Sequence, residues 1–491
     1  MNSSFFAEKN RDTKLLLEHN TNHYLQDLTN NYLIFLPEKL LDALKTGSDK
    51  KNGYYHEKAA FLFKYLSNER SVEENYSGRL SPYFIKKSLV NTQQITFELT
   101  EGCNLRCGYC GYGELYGDYG DRSNKNLPWE YIESVINFLK KFWESDEYPS
   151  FQKKIAIGFY GGEPLLKMDL IEKIVAFLEK TENSYLSFSY HITTNGVLLD
   201  RYMNFLVEKD MNISISLDGN ELNNEYRITK SGKSSHQQIV KNIDELKARY
   251  SDFFDKNVQF ISVLHNKNSM SDIYDFFKTK YSKIPVILEV NPDGIKEEML
   301  DRYNEMYSSK SRSLNNSDKY SEMKKELFIS EPGTYGLMHY LHAYSGNIVK
   351  DYSGFYKDKE NMKWLPTGTC VPFSKKKFVT ATGKILPCER IGHQYAIGLV
   401  DKDGVYIDFE KIAETYNKYY DNLEKKCCFN CYGLKHCVLC IFNLEGGIEK
   451  NPKCYRHINE KQVQKYIKDK IAILQGEPDL YNKIMTDVIL E

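Results

Sequence analysis

The 491-residue chain lacks an excess of charge of either sign: 66 Lys and Arg stand against 67 Asp and Glu, a formal net charge of -1. Without a basic field it carries no electrostatic footprint for nucleic acid. It lacks an uninterrupted apolar run long enough to span a bilayer, and its first residues, MNSSFFAEKNRDTK, lack the apolar centre of a secretory signal. These absences predict a cytoplasmic protein that engages neither nucleic acid nor membrane. A further absence is local: of 11 cysteines, none lies between Gly111 and Thr369. In a reducing compartment, clustered cysteines bind metal or do chemistry rather than form disulfides. Two cysteine-bearing regions around a cysteine-free body therefore point to two metal-binding modules.

What is present is an ordinary globular composition, 41% hydrophobic and 27% charged, at a length that suits two or three domains. Residues 1–90 read as a small α+β unit. HYLQDLTNNYLIFLP alternates like a hairpin with Thr29, Asn30 and Asn31 as its turn, and PEKLLDALKTG (closed by Gly47) and HEKAAFLFKYLSN have helical spacing. From 91 to 292, six strand-like runs (QITFEL, KIAIGFY, LSFSYHITTNG, NISISLDG, VQFISVLH and IPVILEVNPDG) alternate with helices. That rhythm predicts an α/β fold of βα units on a parallel sheet, with the ligand site at the C-terminal strand ends. Residues 293–365 are polar, with SSKSRSLNNSDKY near their start, and read as a bridging insertion: a mobile lid, a linker or a plain surface excursion. Residues 366–460 hold the remaining eight cysteines, and 461–491 begin with an amphipathic helix, EKQVQKYIKDKIAILQ.

The first cysteine group lies in TEGCNLRCGYCGYG, with Cys103, Cys107 and Cys110 in one loop. Thiolates are soft ligands for zinc, Cu(I) or iron–sulfur clusters. Structural zinc takes four ligands, usually as two separated pairs. Three cysteines in one loop suit a [4Fe–4S] cube with one iron left open; a coincidental trio of core cysteines is the plainer alternative. Cys-x3-Cys-x2-Cys with Tyr109 before the last cysteine resembles the signature loop of radical S-adenosylmethionine (SAM) enzymes. The resemblance implies a partial (β/α)6 TIM-type barrel and SAM chelated on the open iron. It further implies cleavage of SAM to a 5'-deoxyadenosyl radical that removes a hydrogen atom from substrate. Tyr109 would lie on the cofactor side. Gly161, Gly162 and Glu163 of GGEP would meet the SAM amino group. Asn195 of TTNG and Ser216 of SLDG would serve its ribose and carboxylate sides, and the fork of Arg227 its carboxylate. The plainer readings are a simple turn for the glycines and a surface ion pair for Arg227. A flavodoxin or ferredoxin is the implied electron donor.

The second group runs Cys428-x2-Cys431-x5-Cys437-x2-Cys440, with Cys370 and Cys388 before it and Cys454 after. A zinc ribbon separates its two knuckles by about fifteen or more residues, far more than here. The pattern is similar to the SPASM domain, a cysteine-rich iron–sulfur extension of radical SAM enzymes that act on peptides and proteins. The similarity implies two auxiliary [4Fe–4S] clusters, the first on Cys370, Cys388 and Cys440, the second on Cys428, Cys431, Cys437 and Cys454. The last gap is a residue shorter than the family's, and Cys427 is extra: either the first auxiliary cluster's fourth ligand or an unused neighbour. Glu389 stands where sulfatase-maturing relatives carry an acidic base. Burial near a cluster would raise its pKa and let it take a proton; an ordinary surface carboxylate is the alternative.

Together these readings predict a radical SAM/SPASM peptide maturase with SAM and three [4Fe–4S] clusters. It would install a thioether or C–C crosslink in a ribosomally made precursor peptide, the auxiliary clusters taking up the surplus electron or binding substrate. The N-terminal unit would read a leader peptide or cap the barrel. The alternatives are an anaerobic sulfatase-maturing enzyme that makes formylglycine and a non-catalytic iron–sulfur or zinc protein.

Overall fold

The structure, a computed structural model, describes residues 14–28, 32–46, 53–66, 79–117, 122–143, 153–181, 186–344, 367–428, 431–434, 437, 439–444 and 454–488. They fall into two compact units. One holds Leu80–Leu327 and Cys370–Thr415; the other holds the residues up to Arg79, Phe328–Thr369 and those from Tyr416 onward.

In the unit that contains both chain ends, β1 (Lys14–His19), β2 (Asn22–Asp27) and β3 (Tyr32–Leu36) form an antiparallel sheet in that order. The expected hairpin is β2–β3, with His23 opposite Leu36; Thr29 to Asn31 and Gly47 lie outside the described residues. Leu25 and Leu36 pack with Leu40, Leu41 and Leu62 of the two following helices. Leu15 and Leu17 instead join Leu337 and Leu341 of the helix Pro332–Tyr344 and Val463, Ile467 and Ile471 of the helix Glu460–Gly476. The spacing of 463, 467 and 471 puts one apolar stripe on that last helix. Asn459 and Gln462 start it with a reciprocal capping box.

The other unit is built on β4 (Gln94–Thr100), the short β5 (Leu105–Cys107), β6 (Lys153–Gly161), β7 (Leu186–Thr194), β8 (Asn212–Ser216), the short β9 (Arg227–Thr229), β10 (Val258–Leu264) and β11 (Val286–Glu289). The six longer strands are those expected from the sequence, and they run parallel in the order β11-β10-β8-β7-β6-β4. The sheet continues beyond β4. β12 (Lys376–Val379) pairs parallel with it, and β13 (Lys384–Leu386), β14 (Gly398–Asp401) and β15 (Gly404–Tyr406) follow antiparallel. These four come from the segment after Cys370, where short runs such as KKFV and KIL give little sequence signal. β7 shows what the sheet does: Leu186, Phe188, Tyr190 and Ile192 are buried, while Ser187, Ser189, His191 and Thr193 are half-buried. Central strands of parallel sheets normally bury both faces in apolar side chains. A polar second face fits a strand that fronts a ligand space.

The polar stretch after residue 293 is folded. Three short helices, Leu300–Met306, Lys310–Asn315 and Tyr320–Leu327, bury Met306, Leu314 and Met323. Ser313 accepts a hydrogen bond from the Met270 N–H at 2.9 Å, and Lys319 pairs with Asp275 at 2.7 Å. Residues 345–366 lie outside the described residues.

Candidate active site

The three-cysteine loop leaves the C-terminal end of β4 and is held by the end of β6. The Gly162 N–H donates to the Thr100 carbonyl at 2.8 Å, and the Glu163 N–H to the Gly102 carbonyl at 2.9 Å. A Cβ on Gly161 would stand 2.4 Å from the Thr100 oxygen, and one on Gly162 2.1 Å from the Gly102 oxygen. Gly161 also has φ of +144°, a conformation costly for other residues. The close approach that the glycine pair permits is thus to the backbone of the cysteine loop itself.

Glu163 is 1% exposed and knits two strand ends together. Its Oε1 accepts from the Leu165 N–H at 3.1 Å and the Thr194 hydroxyl at 2.7 Å, and its Oε2 from the Asn195 N–H at 2.8 Å. Asn195 reaches on to the loop, donating from Nδ2 to Asn104 Oδ1 at 2.7 Å with Cys103 Sγ at 3.7 Å. The Leu105 N–H points at Cys103 Sγ, 3.4 Å away. Ser216 ends β8 half-buried, and its hydroxyl makes no hydrogen bond among the described residues.

Cys107 lies in β5, directly opposite Arg227 of β9. Burial pushes its thiol up to about 12; the Arg227 guanidinium opposes that shift, and Cys110, Asp218 and Cys103 add to it. Burial also raises Cys103, with Glu163 and Cys110 contributing and the Leu105 N–H opposing. The three thiols therefore feel one another electrostatically. Among the described residues no three His, Cys, Asp or Glu donors converge on a single ion position. Three soft donors on one loop, facing a buried cation, suit a sulfur-ligated iron cluster larger than one ion, with thiolates formed as iron binds.

Tyr109 does not face open space. It is buried, its hydroxyl donates to Asp218 Oδ2 and accepts from Arg227 Nη1 at 2.9 Å, and its ring stacks on His265 with centroids 5.8 Å apart. Asp218 and His265 are 0% exposed, their side chains 3.7 Å apart. Arg227 is 7% exposed, so it is not a surface residue, and its Nε is buried without a partner. Asp218 and His265 are the members of this network that sequence reasoning missed. Both sit just beyond the C-terminal ends of parallel strands, in the runs SLDG and VQFISVLH, which was the available signal.

Cys388 and Glu389 belong to the same unit. Glu389 corrects the expectation of a raised pKa. Burial alone would raise it, but Lys376 Nζ, 3.1 and 3.0 Å from its two oxygens, outweighs burial together with Arg390 and backbone hydrogen bonding. The carboxyl lies below the usual range. Cys388 itself is pushed up to about 12 by burial and by Glu389. Cys370 is exposed.

In the other unit a cavity of about 250 Å³ is lined by Cys427, Cys428, Cys431, Cys437 and Cys454, with Tyr455, His457 and Ile458 among the other residues of its wall. Cys427 thus faces the same space as the four cysteines expected to act together. Cys440 is not among the lining residues. The Thr369 hydroxyl binds the chain on either side of it, donating to the Leu439 carbonyl at 3.3 Å and accepting from the Ile441 N–H at 2.9 Å.

Comparison with known proteins agrees with this layout. Residues 97–279 match the family model of the radical SAM superfamily. The chain is 25% identical over 415 residues to the radical SAM cyclopropyl synthase TigE of Paramaledivibacter caminithermalis, covering 81% of this chain and 76% of that protein. It is 28% identical over 182 residues to a cysteine-type anaerobic sulfatase-maturating enzyme of Clostridium novyi, covering 36% of this chain and 46% of the relative, so less than half of that enzyme is matched. Among solved structures, native anSMEcpe with bound AdoMet and the Kp18Cys peptide superposes with a TM-score of 0.52 at 17% identity, over 80% of this chain and 98% of that one. At that identity the likeness is one of fold. No helix among the described residues is long and apolar enough to cross a membrane.

Proposed function

We propose that the chain is a maturase-type radical SAM enzyme and that it modifies a ribosomally made precursor peptide by forming a C–C or thioether crosslink. The observation that carries this is the similarity to a cyclopropyl synthase over 415 residues, which extends well beyond the domain at 97–279. A cyclopropane is closed by a C–C bond, and that favours carbon as the crosslinking atom.

In this reading Cys103, Cys107 and Cys110 hold the cluster that binds SAM. Bound there, SAM supplies a 5'-deoxyadenosyl radical able to take a hydrogen atom from an unactivated carbon. The chain's own part is to position and to exclude. Glu163 and Asn195 hold the cysteine loop against the ends of β6 and β7. Gly161 and Gly162 keep that junction close. Ser216 offers an uncommitted hydroxyl at the end of β8. Glu389, ionised beside Lys376, can accept a proton from substrate without first losing one. Cys428, Cys431, Cys437 and Cys454 are assigned to one auxiliary cluster, and Cys370 and Cys388 to another.

The similarity to sulfatase-maturating enzymes favours a second reading, oxidation of a Cys or Ser side chain to formylglycine. Anaerobic purification with iron and sulfide counting comes first: about twelve of each fits three cubane clusters, and reduction with SAM should yield 5'-deoxyadenosine. Zinc without SAM turnover would end the radical reading. Co-expression with a short peptide encoded beside the gene then separates the two. A crosslinked product lacks two hydrogens and keeps its sulfur; formylglycine made from cysteine has lost it.

A further inference from the structure

We propose that Arg227 and Asp218 are positioning charges for the cluster held by the three-cysteine loop, and that together they set its reduction potential, Arg227 raising it and Asp218 lowering it. This rests on Cys103, Cys107 and Cys110 being that cluster's ligands.

Arg227 is bound to the loop by backbone before any side chain is considered. It pairs with Cys107 across β5 and β9, and the next loop residue, Gly108, donates its N–H to the Tyr226 carbonyl at 3.0 Å. Its guanidinium is anchored on one side, with Nη1 on the Tyr109 hydroxyl at 2.9 Å. That hydroxyl donates to Asp218, whose Oδ1 is fixed by the Val263 N–H at 2.9 Å. Asp218 is thereby held to Arg227 through an intervening hydroxyl. The guanidinium still has a buried Nε–H without an acceptor. A buried cation is costly unless a negative group answers it. Directly opposite residues of an antiparallel pair hold their Cβ atoms about 4.5–5.5 Å apart, so the pairing sets this cation beside Cys107 of the loop.

Reduction adds negative charge to an iron–sulfur cluster, and its potential follows local charge and hydrogen bonds to sulfur. A fixed cation beside the ligating sulfurs favours the reduced form, and a fixed anion behind that cation opposes it. An arginine that served only the SAM carboxylate would change SAM binding and leave the SAM-free potential alone.

The test is redox titration of the reconstituted enzyme without SAM, monitored by electron paramagnetic resonance. The relevant cluster is identified as the one whose signal changes when SAM is added. Arg227→Gln should move its midpoint to lower potential, Arg227→Lys should restore most of the shift, and Asp218→Asn should move it to higher potential. Opposite signs from two buried neighbours are not what a packing defect produces. Unshifted midpoints overturn the proposal. So do shifts of one sign in Arg227→Gln and Asp218→Asn, or a change in Arg227→Gln confined to the SAM concentration needed to convert the signal. If Arg227→Gln fails to fold, Arg227→Lys and Asp218→Asn still decide. If Cys107→Ser keeps the SAM-responsive signal, the ligand assignment itself has failed, and the proposal with it.

Discussion

Cys103, Cys107 and Cys110 sit on a loop tied to the sheet by backbone hydrogen bonds from Gly162, Glu163 and Gly108, whereas Cys427, Cys428, Cys431, Cys437 and Cys454 line a cavity. Around that cavity the described backbone offers isolated links, among them the Cys431 N–H to the Cys428 carbonyl at 3.0 Å and the Tyr432 N–H to the Ile458 carbonyl at 2.9 Å. The first site is shaped by the backbone that holds its loop. The second, walled by five thiols of which Cys428 and Cys431 are buried, takes more of its order from the group those thiols bind.

The largest contrast should come from single ligand losses in the two sites. Cys107→Ser should bring SAM cleavage to background while leaving the thermal unfolding midpoint nearly unchanged, since β5 and β9 pair through backbone. Cys431→Ser should lower the midpoint by several degrees and raise hydrogen exchange across 431–444. Its neighbouring thiols lose a shared metal, and Ile458 loses the sulfur that faces its N–H at 3.4 Å. Equal thermal shifts in both variants would erase the distinction.

Next in size is the glycine pair. Gly162→Ala places a methyl group 2.1 Å from the Gly102 oxygen, and Gly161→Ala adds a disfavoured φ to its clash. Each should cost roughly 3 kcal/mol or more of stability in denaturant titration and reduce iron bound at the loop. An alanine variant at either position with full stability and full iron would show that the loop can move away, and so is not held as described.

The sheet was legible in the sequence because its six strands are regularly spaced between helices, a rhythm that marks even the four-residue β11. The loop was legible because three cysteines at such spacing have few other uses. β12 to β15 were not, since each has only three or four residues and gains its place from pairing with β4 and its own neighbours. Glu389 could be located but not its state: Lys376, 13 residues earlier, is brought beside it by the β12 strand and the turn after β13. Nor does spacing reveal that Leu15 and Ile467 share a core, a contact between opposite ends of the chain.

The five-thiol cavity yields a smaller prediction. A cube needs four ligands, so Cys427→Ser should leave the iron count unchanged and the auxiliary spectra nearly so. Cys428→Ser should then keep a cluster if Cys427 can replace it, and Cys427→Ser combined with Cys428→Ser should lose one. Loss of iron in Cys427→Ser alone would make Cys427 an obligatory ligand and move the surplus to one of the other four.

The smallest expected effect comes from a histidine on which no cysteine acts, and it serves as a control for both sites. Burial pushes His393 down to about 4, with Lys384 and Arg122 acting in the same direction. A histidine free in the unfolded chain titrates near 6.5, so between pH 6.5 and 4 the unfolded state binds the extra proton. Stability from this residue is therefore complete above pH 6.5 and is lost as pH falls toward 4. His393→Gln cannot titrate. Its unfolding midpoint, measured against that of the parent protein at pH 7.5 and 5.0, should gain relative to the parent at the lower pH. Iron-loaded and iron-free samples should show the same relative gain, because none of the groups that shift His393 is a cysteine. A relative gain that disappears when iron is removed would mean that the stability of this sheet depends on the metal after all, and the contrast between a site shaped by the protein and one shaped by its contents would have to be redrawn.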